Sequence, residues 1–183
     1  PFRLPDVRKI VGEATQKASL KRENASLRAA LDKAARAPRI LSNNPEVMAT
    51  IARADAAAPT DACILITGET GSGREALARH IHERSGRTGG FVVVDCAAPD
   101  ADALAAAIFG HVDQAGAIET AADGTLLLTG ISAAADAVQG RLARLLADNE
   151  FVRNGEHQTR RSSARVLVTT DADLAAQVEA GQF

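Results

Sequence analysis

A chain of 183 residues with a formal charge of −2 is long enough for one domain with a buried core and a short additional segment. The near balance of charge argues against a broad electrostatic attraction to nucleic acid or to a membrane surface. No apolar run approaches the length that spans a bilayer, and the start lacks the pattern of a secretory signal, so we expect a cytoplasmic protein without membrane contact. The two cysteines, Cys63 and Cys96, lie in apolar runs and are predicted to be buried thiols.

The first segment is predicted to be one long helix. Between Asp6 and Arg36 no proline interrupts the chain and helix-forming residues dominate. In its second half a seam of mostly apolar residues recurs at steps of four and three: Leu20, Asn24, Leu27, Leu31 and Ala34. This a/d spacing, with one Asn at an a position, predicts a two-stranded coiled coil and hence a dimer of the chain. The alternative is a single helix that packs on its own domain and turns its Lys and Arg residues to solvent.

Pro38 ends that helix, and a second helix is predicted over Glu46–Ala57, followed by a first strand over Cys63–Thr67. The strand runs directly into a glycine-rich loop and another helix. Two glycines separated by four residues and followed by a cation have the spacing of a phosphate-binding P-loop. In such a loop successive backbone N–H groups and the helix N-terminus converge on one phosphate. The predicted nucleotide-binding residues are Gly68, Glu69, Thr70, Gly71, Ser72, Gly73, Arg74 and Glu75.

Two positions depart from the P-loop pattern. Arg74 replaces the usual lysine, and a wide planar guanidinium does not fit a tight phosphate cradle as an ammonium does. Glu75 replaces the Ser or Thr whose hydroxyl holds magnesium, so magnesium is not expected here. The alternative for the whole stretch is a strand-to-helix turn that uses glycine for its geometry alone.

The rest of the chain alternates strands with helices. Strands are predicted over Phe91–Cys96, Thr125–Leu128 and Arg165–Thr170, and helices over residues 100–109, 134–149 and from 173 onward. A polar hairpin is predicted over residues 151–161, with its turn at Asn154-Gly155. The alternation predicts an α/β fold with a parallel sheet covered on both faces. We expect the strand that ends at Thr67 to be central, with the P-loop at the carboxyl edge of the sheet.

Several segments, in this order, resemble the AAA+ domain of NtrC-type, sigma-54-dependent transcription activators. The resemblance covers roughly residues 40 to 183, and its segments are Ile64–Glu75, Phe91–Ala98, Ile108–His111, Ala122–Leu128, Val138–Leu146, Glu150–Arg153 and Arg165–Leu174. It implies a three-layer α/β/α P-loop NTPase over residues 38–183, without the lid subdomain. Residues 1–37 resemble the end of a receiver domain and its linker helix. The implied ligand is ATP or ADP, and the implied partner is an RNA polymerase sigma factor or a regulatory protein. DNA would be contacted only through a domain outside this chain.

Four features differ from the family. An Asp-Glu pair follows the third strand in the family, where the Asp organises magnesium and the Glu polarises the attacking water; this chain has Thr129 and Gly130. The asparagine that gates the catalytic Glu is Asp95 here, and the sensor asparagine after the fourth strand is Asp171. The family's sigma-contacting loop, with its GAFTGA motif, is predicted to be deleted, because Val112–Ala117 leads almost directly to the third strand.

Two functions therefore compete. In the first, the domain is a regulatory and dimerisation module with a decayed hydrolytic site, which has no catalytic residues and no metal ligands and holds nucleotide weakly. In the second, it is an active AAA+ ATPase that remodels sigma-54 RNA polymerase. Thr129 and Gly130 favour the first, because neither side chain can hold a cation or accept a proton. An unrelated P-loop-like scaffold is the third alternative.

Overall fold

The structure is a computed structural model that describes residues 40–98, 100–181 and 183. The predicted N-terminal helix and its leucine seam lie outside these residues. The helices are α1 (Pro45–Ala57), α2 (Arg74–Arg84), α3 (Ala101–Phe109), α4 (Ala117–Ala121), α5 (Asp136–Asp148) and α6 (Leu174–Glu179), with a short 3₁₀ turn at Ile131–Ala133. The strands are β1 (Ile64–Thr67), β2 (Phe91–Asp95), β3 (Thr125–Thr129), β4 (Glu150–Val152), β5 (Thr159–Arg161) and β6 (Arg165–Thr170). No helix in the described part of the chain is both long and apolar enough to cross a bilayer.

Four strands form one parallel sheet in the order β1-β6-β3-β2. Thr67 of β1 lies opposite Thr170 of β6, and Leu128 of β3 lies opposite Val168 of β6. The parallel α/β prediction is confirmed. The prediction that the strand ending at Thr67 is central is wrong for the described strands, because β1 forms an edge and β6 and β3 occupy the middle.

The edge position of β1 has a visible effect on burial. Leu65 in β1 is 47% exposed, whereas every residue of β6 is buried. Cys63, just before β1, is exposed, so the prediction that both cysteines are buried is wrong for Cys63 and correct for Cys96. Both thiols are free. A short apolar run is compatible with a central or an edge strand, and only the strand order separates the two.

Helices cover both faces of the sheet. Because side chains alternate along a strand, Leu126 and Leu128 of β3 point into one apolar cluster with α3, α4 and α5. Leu127 of β3 and Leu167 of β6 point into a second cluster with α1 and α2. The three-layer α/β/α architecture is therefore confirmed.

Two smaller features complete the fold. The predicted polar hairpin is confirmed as the antiparallel pair β4 and β5, in which Glu150 lies opposite Arg161. The sequence pattern does not predict helix α4, whose five residues lie in an alanine-rich stretch shortly before β3.

Candidate functional site

The glycine-rich loop leaves the carboxyl end of β1 and turns sharply into α2. The N–H of Gly68 donates to the carbonyl of Thr170 at 3.2 Å, which ties the start of the loop to β6. The N–H of Ser72 donates to the carbonyl of Glu69 at 3.1 Å and closes a turn. Gly71 and Gly73 have φ angles of 86° and 88°, a left-handed conformation in which a side chain is strained. The two glycines are therefore required by the backbone path.

This path leaves donors free at the mouth of the loop. The N–H groups of Thr70, Gly71 and Gly73 have no acceptor among the described residues. The first turn of α2, which begins at Arg74, adds N–H groups that have no partner within the helix. Together with the positive end of the helix dipole, these donors form a site suited to a phosphate.

Three side chains meet at the loop. The hydroxyl of Thr70 donates to Oδ2 of Asp171 at 2.9 Å. The side chain of Arg74 is 18% exposed, and its Nη2 lies 3.9 Å from the same oxygen. The hydrogen bond from Thr70, assisted by a backbone hydrogen bond and by the charge of Arg74, holds the pKa of Asp171 below its ordinary value. Glu75 does not take part, since it pairs with Arg79 on the surface of α2 at 3.0 Å.

A cavity of about 510 Å³ lies beside the loop. One wall is formed by Gly68, Ser72, Gly73 and neighbouring residues, and the facing wall is largely apolar. The apolar wall is contributed by the segment before α1 and by α1 itself: Ile40, Leu41, Val47 and Ile51. A polar loop next to an apolar wall is the arrangement that a phosphate attached to a flat organic ring would need.

The carboxyl end of β3 carries no acidic side chain. The hydroxyl of Thr129 contacts the carbonyl of Val94 at 3.4 Å and Oδ1 of Asp95 at 3.5 Å. Gly130 adopts a left-handed conformation, with a φ of 61°. Asp95 is already engaged, because its Oδ1 accepts the N–H of Ala97 at 3.0 Å. Within residues 40–98, 100–181 and 183, no cluster of His, Cys, Asp and Glu is arranged as a metal site.

The segment after α3 is closed by a tight turn. His111 and Gln114 exchange backbone hydrogen bonds of 2.9 and 3.0 Å, which leaves only residues 112 and 113 at the tip. Gly110 and Gly116 lie back to back, and a Cβ at Gly116 would be 2.3 Å from the nitrogen of Gly110. We call residues 110–116 the closed turn.

A network of ion pairs connects the closed turn and α4 to the hairpin. We call its four residues, Glu119, Arg153, Glu156 and Arg160, the brace. Arg153 donates to both carboxylate oxygens of Glu119 at 2.7 Å and to the carbonyl of Val112 at 3.1 Å. Glu156, at 3.6 Å from Arg153, and Arg160, at 3.0 Å from Glu156, extend the brace into the hairpin. The hydrogen bonds from Arg153 are the main reason that the pKa of Glu119 is lowered.

The structure thus places the predicted residues from Gly68 to Arg74 in the loop and at the start of α2, whereas Glu75 lies on the surface of α2. Their role as ligands of a nucleotide stays a prediction. The sequence identified Asp171 only as a departure from a family position. Its contact with Thr70 was missed, although the carboxyl ends of parallel strands meet at one edge of a sheet.

Comparisons with known proteins agree with this fold. Residues 40–183 match the Sigma-54 interaction domain. The regulatory protein AtoC of Escherichia coli is 37% identical over 193 residues, which cover 100% of this chain and 42% of AtoC. The response regulator FleR of Pseudomonas aeruginosa is 39% identical over 148 residues, 75% of this chain and 30% of FleR. The chain therefore spans less than half the length of these relatives.

Solved structures give the same result. NtrX of Brucella abortus, crystallised in complex with ATP, has a TM-score of 0.73 and 28% identity, with 100% of this chain and 42% of NtrX covered. A second structure of NtrX, in complex with ADP, has the same TM-score and identity. The P-loop NTPase domain of an E. coli sigma-54 activator, at 22% identity and a TM-score of 0.50, is similar in fold. The chain belongs to the Sigma-54 interaction domain family of NtrC-type, sigma-54-dependent transcription activators and has the α/β fold of an AAA+ P-loop NTPase.

Proposed function

We propose that this domain is a pseudo-ATPase, a regulatory module of a sigma-54-dependent transcription regulator that holds ATP or ADP weakly at residues 68–75 and does not hydrolyse it. The observation that carries the proposal is the pair Thr129 and Gly130 at the carboxyl end of β3. Phosphoryl transfer depends on neutralising charge and on placing the attacking water. Neither residue has a carboxylate for a metal ion or for that water.

Nucleotide binding requires less than hydrolysis does. The free N–H groups of the loop belong to the backbone and do not depend on the replaced side chains. The cavity beside the loop supplies an apolar wall of suitable size. The ATP and ADP complexes of NtrX, which is similar over 100% of this chain, support a nucleotide as the ligand. Arg74, held near Asp171, fits the phosphate cradle poorly, which supports weak binding.

The closed turn supports a regulatory role without a sigma-contacting loop at this position. Only residues 112 and 113 lie at its tip, between the paired residues His111 and Gln114. Partners on this proposal are a second copy of the chain and a sigma factor or regulatory protein. Contact with DNA would come from another domain of a cytoplasmic regulator.

The test separates binding from turnover. Nucleotide binding is measured by calorimetry, and phosphate release is measured both on the chain and on the longest natural protein that carries it. Nucleotide binding without turnover is expected. Gly73→Val is the control for the loop, because its side chain would be strained at a φ of 88°. If the unaltered protein hydrolyses ATP and Gly73→Val abolishes that hydrolysis, the proposal is overturned.

A second variant tests whether the missing lysine and acidic pair explain the expected absence of ATP hydrolysis. Arg74→Lys, Thr129→Asp and Gly130→Glu together restore the family's cation and acidic pair. Gly130 is left-handed, so a side chain there costs about 1–2 kcal/mol, and the melting temperature of the variant is checked first. A folded triple variant that gains activity in the full-length protein would support the proposal directly.

A further inference from the structure

We propose that Asp171 is a specificity-determining residue that makes this P-loop prefer a nucleoside diphosphate to a triphosphate. The inference rests on the proposed nucleotide binding and adds to it which nucleotide the site favours. Asp171 follows β6, the strand that lies next to β1, and so reaches the loop from the neighbouring strand.

One carboxylate oxygen of Asp171 engages both polar side chains at the mouth of the loop. Oδ2 accepts the hydroxyl of Thr70 at 2.9 Å and lies 3.9 Å from Nη2 of Arg74. The hydrogen bond from Thr70 joins positions that are 101 residues apart, so it ties the end of β6 to the loop. In the described part of the chain, Arg74 has no other acidic partner within ion-pair distance.

The cation that follows the second glycine of a P-loop is the group that reaches the β- and γ-phosphates. Here that cation is Arg74, and a carboxylate already lies beside it. A terminal phosphate that approaches Arg74 therefore meets a like charge at close range. The phosphates of a diphosphate can instead use the free N–H groups of Thr70, Gly71 and Gly73.

The charge on Asp171 is present under ordinary conditions. Its side chain is 51% exposed, and its contacts with Thr70 and Arg74 favour the ionised form. ATP carries one more negative charge than ADP, and that charge lies on the terminal phosphate. Two unit charges about 4 Å apart in a largely aqueous setting change a binding constant by roughly fivefold.

The experiment measures the dissociation constants of ADP and ATP for the 183-residue chain by calorimetry, in EDTA and again with magnesium. The unaltered chain is expected to bind ADP roughly fivefold more tightly than ATP in EDTA. Asp171→Asn keeps an acceptor for Thr70 and removes the charge, so the ratio should move to about one through tighter ATP binding.

Asp173→Asn is the matched control. It removes the same charge two residues further on, and its amide oxygen can still cap α6, where Asp173 accepts the N–H of Ala175 at 3.0 Å. The control variant should keep the ratio of the unaltered chain. A general effect of net charge would instead move both variants equally and would overturn the inference.

The outcomes separate the two proposals. An unchanged ratio in Asp171→Asn, with both nucleotides bound, overturns the inference and leaves nucleotide binding intact. Weaker ATP binding by Asp171→Asn in magnesium also overturns it, because Asp171 would then be holding the metal ion of a triphosphate complex. If Asp171→Asn binds ATP and the unaltered chain does not, the inference is supported. The proposal that the unaltered chain binds ATP is then corrected. If neither protein binds either nucleotide, both proposals are overturned.

Discussion

Arg165, the first residue of β6, is a buried cation that fastens α1 to the sheet. It is 2% exposed, and its guanidinium donates to the carbonyls of Ala57, Ala58 and Ala62 at 2.9, 2.6 and 3.1 Å. Burial, followed by the nearby charge of Arg87, lowers the pKa of Arg165. The carbonyls of Ala57 and Ala58 belong to the end of α1, where a helix has acceptors without partners and a partial negative charge.

Replacing this cation should be costly. Arg165→Met removes the hydrogen bonds to the carbonyls of Ala57 and Ala58 at the end of α1 and to that of Ala62 before β1. We expect a loss of about 2–4 kcal/mol in the free energy of unfolding. Urea denaturation measures the loss. Arg161→Met is the control, since that side chain is 83% exposed and its ion pair with Glu150 is 3.5 Å long. The control should change stability by less than about 0.5 kcal/mol. Equal midpoints for the two variants would contradict the role assigned to Arg165.

Elements differ in how far the sequence reveals them. The parallel sheet follows from the alternation of strands and helices, and the P-loop position follows from glycine spacing. The edge position of β1 does not follow, because four apolar residues look alike at the edge and in the centre of a sheet. The contact of Thr70 with Asp171 could not be predicted either, since it requires knowing that β6 is the neighbour of β1.

At the level of elements, the brace connects α4 and the closed turn to the hairpin. We expect Arg153→Met to loosen the closed turn against the hairpin, because it removes both hydrogen bonds to Glu119 and the one to Val112 and leaves the backbone hydrogen bond from Asn154 to the Gly110 carbonyl. Amide hydrogen exchange in residues 111–122 and 150–161 should become several-fold faster, with the sheet unaffected. Arg144→Met is the control, since Arg144 lies 3.7 Å from Glu150 and does not contact Glu119. Equal exchange in the two variants would show that the brace does not hold the turn.

The same brace should depend on pH in a defined direction. Hydrogen bonds from Arg153 lower the pKa of Glu119 from its ordinary value of 4.5. Its contribution is therefore fully present above pH 4.5 and is lost as the pH falls through the lowered value. The difference in exchange between the unaltered chain and Arg153→Met should be largest at neutral pH and shrink on strong acidification, when only the hydrogen bond to the Val112 carbonyl remains. A difference that is the same before and after full protonation of Glu119 would contradict this assignment.

At the scale of the whole molecule, the leucine seam still predicts a dimer. Leu27→Lys with Leu31→Lys places two charges in the seam and should yield monomers in light scattering at concentrations where the unaltered chain is dimeric. Ala25→Lys with Ala29→Lys adds the same charges at positions off the seam and should leave the dimer intact. An unaltered chain that is already monomeric would rule out the coiled coil.

The closed turn also makes the end of α3 a natural insertion point. His111 and Gln114 are already paired across its base, so added residues would emerge from two anchored ends without entering the sheet. Each doubling of the length of such a flexible loop costs only about 0.6 kcal/mol of closure entropy. A fluorophore, an epitope or a transplanted loop placed between Val112 and Asp113 should therefore be carried at little cost to the core. The tip of the closed turn is thus the place where a protein engineer could lengthen the domain.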